Sequence, residues 1–378
     1  MITRRQFSLG AAGLAGLSAL TLPGRSLAAR NDQLNILCWE GYNSDDVLNP
    51  FRERHPGATV RAESGTSDPE MINRLRAGGL AQWDLINVNQ AWARGVMFNE
   101  QLIKPLTKER FLPYFEKMSP EFANPPYPMA FSPDGNDLMG LPQRYGAFNF
   151  VVNTDKISQD MAEDQGWNLF LDPAMAGRYG VLTYDNWNVM HLCMTAGFDP
   201  FQPVSEENIG KYTEVAKQIM GNARLMTDDL VAMNTALING EIDCYFTGGV
   251  FSCSGARYDG MTNIRGITPR SGPVDGKGGI VWVEITSAVN NPDPSSLAED
   301  FLEYVQEPEI AVLVASGGGT LNPITQMGNP EVMALFDEDQ LDAMQVDTLA
   351  EELARCIEFE EVPSYDQLLA IYVEARRG

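Results

Sequence analysis

The sequence has few of the residues and motifs on which enzymes rely. It contains only two histidines, His55 and His191, in 378 residues. No GxSxG, HExxH, phosphate-binding loop or GxGxxG motif occurs in the structural context that it requires. The run Ser316–Thr320 is glycine-rich, but it follows a predicted helix and not a strand, so we expect a turn there and not a phosphate cradle. With no catalytic constellation to name, we expect a protein that is not an enzyme.

Metal-binding and disulfide patterns are also sparse. The five cysteines form no CxxC pair and no Cys/His cluster, so we expect neither a metal nor a cofactor; they are Cys38, Cys193, Cys244, Cys253 and Cys356. An odd number leaves at least one free thiol. Cys244 and Cys253 are close enough in sequence for a local disulfide, but sequence does not determine whether they are bridged. His191 lies among apolar residues, where we expect a packed core histidine.

Positive charge is scarce. The chain has 27 Lys and Arg against 51 Asp and Glu, and its formal net charge is −24. This balance argues against binding to nucleic acid or to anionic membrane surfaces. Most of the acids must simply solvate the surface, but the excess mildly favours a cationic small molecule as a ligand.

Long apolar runs are absent, because no stretch reaches the ~18 consecutive apolar residues of a membrane helix. Residues 1–28 instead predict a twin-arginine signal peptide. It combines Arg4 and Arg5, a short Gly/Ala-rich apolar run, and the small-residue cleavage site Ser26–Ala28. Its removal takes away three arginines and no acid, which changes the net charge from −24 to −27. We therefore expect a periplasmic protein exported by the twin-arginine route; an uncleaved anchor is the alternative.

Strands alternate with helices along the remaining 350 residues, which are enough for two domains. In the first part, helices over 45–55, 68–77 and 89–98 follow predicted strands at 34–37, 58–62 and 83–88. An extended segment at 147–153 and a return strand at 279–287 are expected to cross between domains. Shorter strands are predicted at 181–183, 244–246 and 264–268. The pattern predicts an α/β fold with mostly parallel sheets.

Aromatic and acidic residues recur where the predicted strands end. Trp39, Glu40 and Tyr42 follow the first strand, and similar groups accompany the others: Trp92, Tyr145, Tyr184, Asp185, Trp187, Trp282 and Glu284. Singly, each is more often core or surface than a ligand contact. In open α/β sheets, however, ligands bind outside the carboxyl ends of the strands. Ring faces and carboxylates together suit a cation.

Several segments, taken in order and spacing, carry a family resemblance. They are 36–42 (ILCWEGY), 83–86 (WDLI), 145–147 with 151–155, 181–185 (VLTYD), 278–284 (GGIVWVE) and 318–323 (GGTLNP). With them the chain resembles the periplasmic substrate-binding proteins of polyamine (spermidine/putrescine) ABC transporters. The resemblance implies a two-lobe clamshell with two or three interlobe crossings. We assign residues 29–148 plus 284–325 to lobe 1, and residues 149–283 plus 326–378 to lobe 2.

The resemblance also implies a set of ligand contacts. Trp39, Tyr42 and Trp282 would stack on a carbon chain, while Asp185 and Glu284 would pair with amino groups. Asn89 and Tyr145 complete the predicted ligand-binding set. Six further candidates lie nearby, with Glu40 as a rim charge: Glu40, Trp92, Arg144, Trp187, Asn188 and Glu360.

Departures from the family pattern leave the ligand open. Asn188 stands where a second acid is usual, Thr247-Gly248-Gly249 replaces an expected Trp, and the aromatic near Gly319 is missing. Arg144 would repel a polyamine unless it is paired or faces solvent.

The predicted function is capture of a small cationic amine of the putrescine/spermidine class. A monomeric protein would deliver this amine to an ABC permease in the cytoplasmic membrane. One alternative is an amine-acid zwitterion with Arg144 on its carboxylate; others are an exported enzyme and a sensor-linked receptor on the same scaffold.

Overall fold

The strands form one mixed sheet across the molecule. The computed structural model describes residues 30–378, so the predicted signal peptide lies outside the described residues. Within them, eleven strands are present: β1 (Gln33–Cys38), β2 (Thr59–Ser64), β3 (Leu85–Asn89), β4 (Ile103–Lys104), β5 (Leu141–Asn153), β6 (Tyr179–Leu182), β7 (Leu225–Thr227), β8 (Cys244–Gly248), β9 (Ile264–Ile267), β10 (Gly279–Val289) and β11 (Cys356–Glu358).

Helices cover both faces of this sheet. They are α1 (Asp45–Arg54), α2 (Asp68–Arg76), α3 (Gln90–Trp92), α4 (Lys108–Phe115), α5 (Pro120–Ala123), α6 (Gln159–Gln165), α7 (Asp185–Ala196), α8 (Glu206–Asn222), α9 (Leu230–Ile238), α10 (Val250–Tyr258), α11 (Leu297–Tyr304), α12 (Pro308–Ala315), α13 (Pro330–Met333), α14 (Glu338–Ala343), α15 (Val346–Ala354) and α16 (Tyr365–Arg377). A turn of π-helix, Ala93–Met97, follows α3 directly. Among residues 30–378, no helix is both long and apolar enough to cross a bilayer.

The strand order is β2-β1-β3-β10-β5-β8-β6-β7, with β4 and β11 beside β10 and β9 beside β5. The outer groups, β2-β1-β3 and β8-β6-β7, pair in parallel as the alternation of strands and helices predicts. The long central strands β5 and β10 are antiparallel to each other. The α/β class is thereby confirmed, and antiparallel pairing is concentrated in the two strands that run through the middle of the molecule.

Local sequence signals explain the first helices. Ser44 caps α1 by accepting a hydrogen bond from the backbone N–H of Val47, and Ser67 caps α2 in the same way. Both helices place acids in the first turn and arginines in the last, which complements the helix dipole. The third predicted helix, over 89–98, is different: α3 has only three residues before the π-turn begins.

Two large apolar cores lie at the two ends of the sheet. The first holds side chains from Leu34 to Tyr145 and from Val283 to Val314. The second holds side chains from Phe148 to Trp282 and from Phe359 to Ala375. We call the elements around these cores the N-terminal and C-terminal lobes. On β5, Tyr145 packs in the first core and Phe148 in the second. On β10, Trp282 packs in the second core and Val283 in the first. Both long strands therefore pass from one lobe to the other.

The cysteines and His191 are buried in the interior of the protein. All five cysteines are buried free thiols, so Cys244 and Cys253 are not bridged. His191 is fully buried and stacks on Trp167 at 4.7 Å between ring centroids. Burial lowers the pKa of His191 to about 3, so the ring is neutral near pH 7. The expectation of a packed core histidine is confirmed.

The close approach of β10 to the start of β5 depends on Gly140. A Cβ atom there would lie 2.5 Å from Ile285 Cγ2 and 2.6 Å from the carbonyl oxygen of Thr286. We predict that Gly140→Ala destabilises the protein by about 1–3 kcal/mol, because overpacking forces backbone shifts. Urea unfolding followed by circular dichroism measures this change.

Gly210→Ala is the matched control, because Gly210 lies in the exposed middle of α8 with no atom near its Cβ position. It should leave stability unchanged or raise it by up to ~1 kcal/mol. Equal destabilisation by both variants would contradict the packing interpretation.

Candidate functional site

Three segments join the two lobes beneath the site. They are β5, β10 and the chain from β11 to the start of α16. Gln90, on the N-terminal lobe, ties β10 to β11. Its side-chain amide donates to the carbonyl of Val281 (3.1 Å) and to Glu358 (2.7 Å), and its side-chain oxygen accepts from the backbone of Val283 (2.8 Å). The site is therefore built on backbone that runs between the lobes.

Tyr42, Arg144 and Glu284 form a buried cluster, which we call the cage. Arg144 Nε donates to Glu284 Oε2 (2.8 Å) and Arg144 Nη2 donates to Oε1 (3.0 Å). The Tyr42 hydroxyl donates to the same Oε2 at 2.9 Å. The guanidinium carbon lies 4.6 Å from the centroid of the Tyr42 ring. Two predicted ligand contacts and one further candidate are thus brought together, and they bind one another.

A bulge in β5 explains how these residues meet. Val283 pairs with Tyr145, but Ile285 pairs with Pro142, so two residues of β5, Gln143 and Arg144, lie opposite Glu284 alone. An extra residue in one strand of a pair bends that strand and redirects its side chain. Glu284 therefore lies opposite Arg144, although 140 residues separate them in sequence.

The electrostatics of the cage keep Arg144 charged. Burial alone would lower the pKa of Arg144, but the neighbouring Glu284 and Tyr42 raise it above its ordinary value. Burial raises the pKa of Tyr42 well above 10, with a further rise from Glu284, so the phenol stays protonated and donates. The result is a paired buried charge and not a carboxylate open to solvent.

Trp39 and Asn89 belong to a second network centred on Asp68. Asp68 accepts from Trp39 Nε1 (3.2 Å), from the backbone of Asn89 (3.1 Å) and from Asn89 Nδ2 (2.8 Å). Burial raises the pKa of Asp68 to about 6, although these hydrogen bonds oppose the rise. Asp68 fixes the indole of Trp39 at the end of β1. Sequence reasoning placed Asp68 only at a helix start.

A cavity of about 490 Å³ lies between the lobes. Its walls are Trp92 from the N-terminal lobe, Asn186 from the first turn of α7, and the segment Phe359–Gln367. Trp92 packs against both cores, and its indole nitrogen has no hydrogen-bond partner. Two of the further candidates, Trp92 and Glu360, are thus brought to one cavity.

The cavity walls combine rings with carboxylates. Trp92 and Tyr365 supply partly exposed rings, while Glu360, Glu361 and Asp366 supply exposed acids; the ring of Phe359 is only 1% exposed and packs behind them. None of the residues that line it is Lys or Arg, and none of these three acids makes a salt bridge within residues 30–378. Such a lining attracts a small cation.

An aromatic cluster connects Phe359 to the strands that cross between the lobes. Phe148 on β5 contacts Trp187 (ring centroids 4.7 Å apart), Trp282 (5.9 Å) and Phe359 (5.9 Å). Phe251 completes the cluster against Trp187 and Trp282. Trp282 is only 5% exposed, and its indole nitrogen has no partner. The cluster supports the cavity wall from behind.

The remaining candidates lie elsewhere. Asp185 is half-exposed and pairs with Arg376 at 3.2 Å. Asn188 is fully buried, where it donates to the carbonyl of Leu182 (2.6 Å) and accepts from Thr247. Tyr145 packs in the N-terminal core against Phe122, and Glu40 is exposed beside the glycine turn at Gly318. These four do not line the cavity.

Glu358 is a carboxylate behind the cavity that sequence reasoning did not select. It accepts from Gln90 and from the hydroxyl of Tyr127. Burial raises its pKa, the two hydrogen bonds lower it, and nearby Glu360 raises it. The sequence Phe359-Glu360-Glu361 could have indicated this wall of the cavity, because it joins an aromatic residue to two acids. Only Glu360 was selected from it as a candidate.

The fold is that of substrate-binding proteins of ABC transporters. Neither protein-family models nor curated proteins gave a match to the sequence. Solved structures match over nearly the whole described chain, at low sequence identity.

Three such structures illustrate the likeness. The Tp0655 (TpPotD) lipoprotein of Treponema pallidum has a TM-score of 0.70 and 15% identity, covering 92% of this chain and 100% of that chain. The spermidine/putrescine ABC transporter substrate-binding protein PotD of Streptococcus pneumoniae was solved in complex with calcium and HEPES. It has a TM-score of 0.64 and 16% identity, covering 92% of this chain and 100% of that chain. The PBP MotA of A. tumefaciens B6 was solved in complex with glucopine. It has a TM-score of 0.62 and 12% identity, covering 91% of this chain and 99% of that chain.

The raised pKa of Asp68 predicts a pH-dependent stability. Its folded pKa of about 6 exceeds the ordinary value of 3.8, so between these values the native state binds more protons than the unfolded chain. The contribution is fully present below pH ~4 and is lost as the pH rises through ~6. We expect the stability of the protein relative to its Asp68→Asn variant to fall by on the order of 3 kcal/mol from pH 4 to 7. Urea unfolding at a series of pH values measures it.

Asp134→Asn provides the control. Hydrogen bonds from Ser132 and Asn136 lower the pKa of the exposed Asp134 carboxyl to about 2, which is outside this window. Between pH 4 and 7, the free energy of unfolding of Asp134→Asn should change with pH as that of the parent protein does. If the difference in free energy of unfolding between the parent protein and Asp68→Asn does not change with pH, burial does not dominate the pKa of Asp68.

Proposed function

We propose that this protein is the exported binding component of an ABC importer and captures a small cationic, polyamine-like solute in the cavity beside Trp92. The observation that carries the proposal is the lining of the cavity, where two partly exposed rings and three unpaired acids meet without a basic side chain. A volume of about 490 Å³ suits a small molecule.

The rings and acids would take different parts of such a ligand. Trp92 and Tyr365 would contact its methylene groups and attract its charge through their ring faces. Glu360, Glu361 and Asp366 would pair with ammonium groups, each charge-assisted bond contributing about 1.5–3 kcal/mol. Capture between lobes would then shift the protein toward a closed form that a permease recognises.

Charge elsewhere in the cleft supports the same location. Glu284 is already neutralised by Arg144 at 2.8 Å, and Asp185 by Arg376 at 3.2 Å. Both were predicted to pair with amino groups. Because their charges are matched within the chain, the acids of the segment Phe359–Gln367 retain the stronger attraction for a cation.

The structural neighbours support transport as the role. The TpPotD lipoprotein and the pneumococcal PotD carry names of polyamine transport systems, which fits a cationic ligand. Delivery to a permease in the cytoplasmic membrane, export by the twin-arginine route and a monomeric state remain part of the proposal. Turnover of a ligand or presentation to a sensor protein would indicate the exported enzyme or the receptor instead.

A second candidate is an amine that also carries an acid. The first turns of α7 and α16 both reach the cavity, through Asn186 and through Tyr365–Gln367. Helix amino-terminal ends carry partial positive charge and favour an anionic group. The neighbour MotA was solved with glucopine, so this fold also accommodates ligands outside the polyamines. Arg144 is less suited to bind that acid, because its Nε and Nη2 groups already donate to Glu284.

Calorimetry with a panel of solutes tests the proposal. The panel comprises putrescine, spermidine, cadaverine, γ-aminobutyrate, choline and amino acids, titrated into the protein without its predicted signal peptide. We expect binding of at least one cationic amine, with tryptophan fluorescence changing in parallel because Trp92 lines the cavity. Binding of γ-aminobutyrate or an amino acid in preference to diamines would favour the second candidate. No response to any amine would remove the cationic proposal.

Variants locate the site. For the solute that binds, Glu360→Gln should weaken the affinity by about tenfold to a hundredfold, the equivalent of one charge-assisted bond. Trp92→Ala should also weaken binding, because a ring face is lost. Glu53→Gln removes an exposed acid from α1, away from the cavity lining, and should bind as the parent protein does. Unchanged affinity in Glu360→Gln would place the ligand elsewhere.

A further inference from the structure

The cage of Tyr42, Arg144 and Glu284 has the composition of a cation-binding site. It supplies a carboxylate for charge, a phenol ring beneath the cation, and almost complete exclusion of water. Arg144 is 4% exposed and Glu284 is 6% exposed. A carboxylate and an aromatic face, both desolvated, are the groups that hold ammonium and guanidinium ligands. Here the cation belongs to the chain itself.

Both carboxylate oxygens of Glu284 already accept hydrogen bonds within the cage. Glu284 Oε2 accepts from both Arg144 Nε and the Tyr42 hydroxyl, and Oε1 accepts from Arg144 Nη2. A second cation at Glu284 would have to displace a bidentate, charge-assisted pair, whose geometry is the most favourable that arginine makes with a carboxylate.

Backbone closes the cage on its other side. Gly41 has a φ of +105°, and a Cβ there would lie 2.9 Å from the Cα of Gly317 and 3.0 Å from Arg144 Nη1. The glycine turn Gly317–Gly319 therefore packs directly on Gly41, beside the guanidinium. This contact leaves no space for a ligand next to Arg144, and it gives the glycine-rich run a role that the sequence did not reveal.

We infer that Arg144 is a built-in occupant of a cation site: it fills the cage of Tyr42 and Glu284 and thereby excludes the ammonium groups of ligands from Glu284. Arg144 is then a specificity-determining residue. The contacts with a ligand amine that the sequence predicts for Tyr42 and Glu284 are made by the arginine instead. Removing the guanidinium leaves a cage that accepts a small organic cation of matching shape. The inference concerns the cage alone and stands whether or not the cavity beside Trp92 binds an amine.

Chemical rescue of Arg144→Ala tests the inference. Ethylguanidine replaces the atoms that this substitution removes, and ethylurea is its uncharged analogue. Arg144→Ala should unfold at a lower temperature than the parent protein, because it leaves a buried carboxylate without its partner. Millimolar ethylguanidine should raise that temperature, by about 2–4 °C at ten times its dissociation constant, and ethylurea should not. Ethylammonium should act in the same direction, since its charge can also reach Glu284.

Two controls assign the effect to Glu284. Any shift that ethylguanidine causes in the parent protein should be smaller than in Arg144→Ala, because Arg144 fills the cage and only the cavity beside Trp92 is open to the cation. The double variant Arg144→Ala with Glu284→Gln should lose the response, because no charge remains to be matched. If Arg144→Ala does not fold unaided, its refolding yield with ethylguanidine, compared with ethylurea, gives the same measurement. Absence of rescue, or equal rescue in the double variant or the parent, would overturn the inference.

Discussion

The buried pair of Arg144 and Glu284 is the constraint on which the rest of the site depends. One partner lies on β5 and the other on β10, and these are the two long strands that pass between the lobes. Taking two charges out of water costs several kcal/mol for each, which only excellent geometry offsets. The bidentate contact and the hydroxyl of Tyr42 supply that geometry. Because Tyr42 follows β1, the pair also fixes the end of the first strand against the crossing strands.

This constraint divides the acids of the cleft into two kinds. Some are satisfied by the chain: Glu284 by Arg144, Asp68 by Asn89 and Trp39, and Glu358 by Gln90 and Tyr127. Others, on the segment Phe359–Gln367, reach the cavity without a cationic partner among the described residues. An acidic sequence is therefore not uniformly attractive to cations. What matters is which carboxylates remain unmatched once the fold has paired the rest.

The fold could be predicted from the sequence to a large extent, because its signals are local. A capping residue at Ser44 or Asp45 identified α1, the start at Asp68 identified α2, and apolar spacing supported both; apolar runs identified β1 and β3. The predicted helix over 89–98 is present as α3 followed by the π-turn Ala93–Met97, but composition did not reveal the change from α to π hydrogen bonding. The helices after residue 330 were not assigned.

The site was harder to predict, because its geometry depends on contacts between distant residues. Trp39, Tyr42, Trp282 and Glu284 were selected from their positions at strand ends and from the family resemblance. The partners of these residues could not be predicted from the sequence. The register shift at Glu284 decides that this carboxylate faces Arg144 and not the cavity. In the same way, Phe148 and Phe359 meet at 5.9 Å only because β11 pairs with β10. No local pattern encodes either pairing.

The placement of the unmatched acids has a consequence for closure. Glu360 and Glu361 lie on the segment that connects the lobes, and Glu361 reaches within 3.5 Å of the Cβ position of Gly95 on the N-terminal lobe. Near them, burial raises the pKa of Glu358, hydrogen bonds from Tyr127 and Gln90 lower it, and repulsion from Glu360 adds a smaller rise. A cation in the cavity would relieve this repulsion while touching both lobes. A ligand can shift a conformational equilibrium only by its differential affinity for the two states. Acids left unpaired beside Trp92 provide that difference, because a cation that they hold also contacts the N-terminal lobe only when the two lobes are close together.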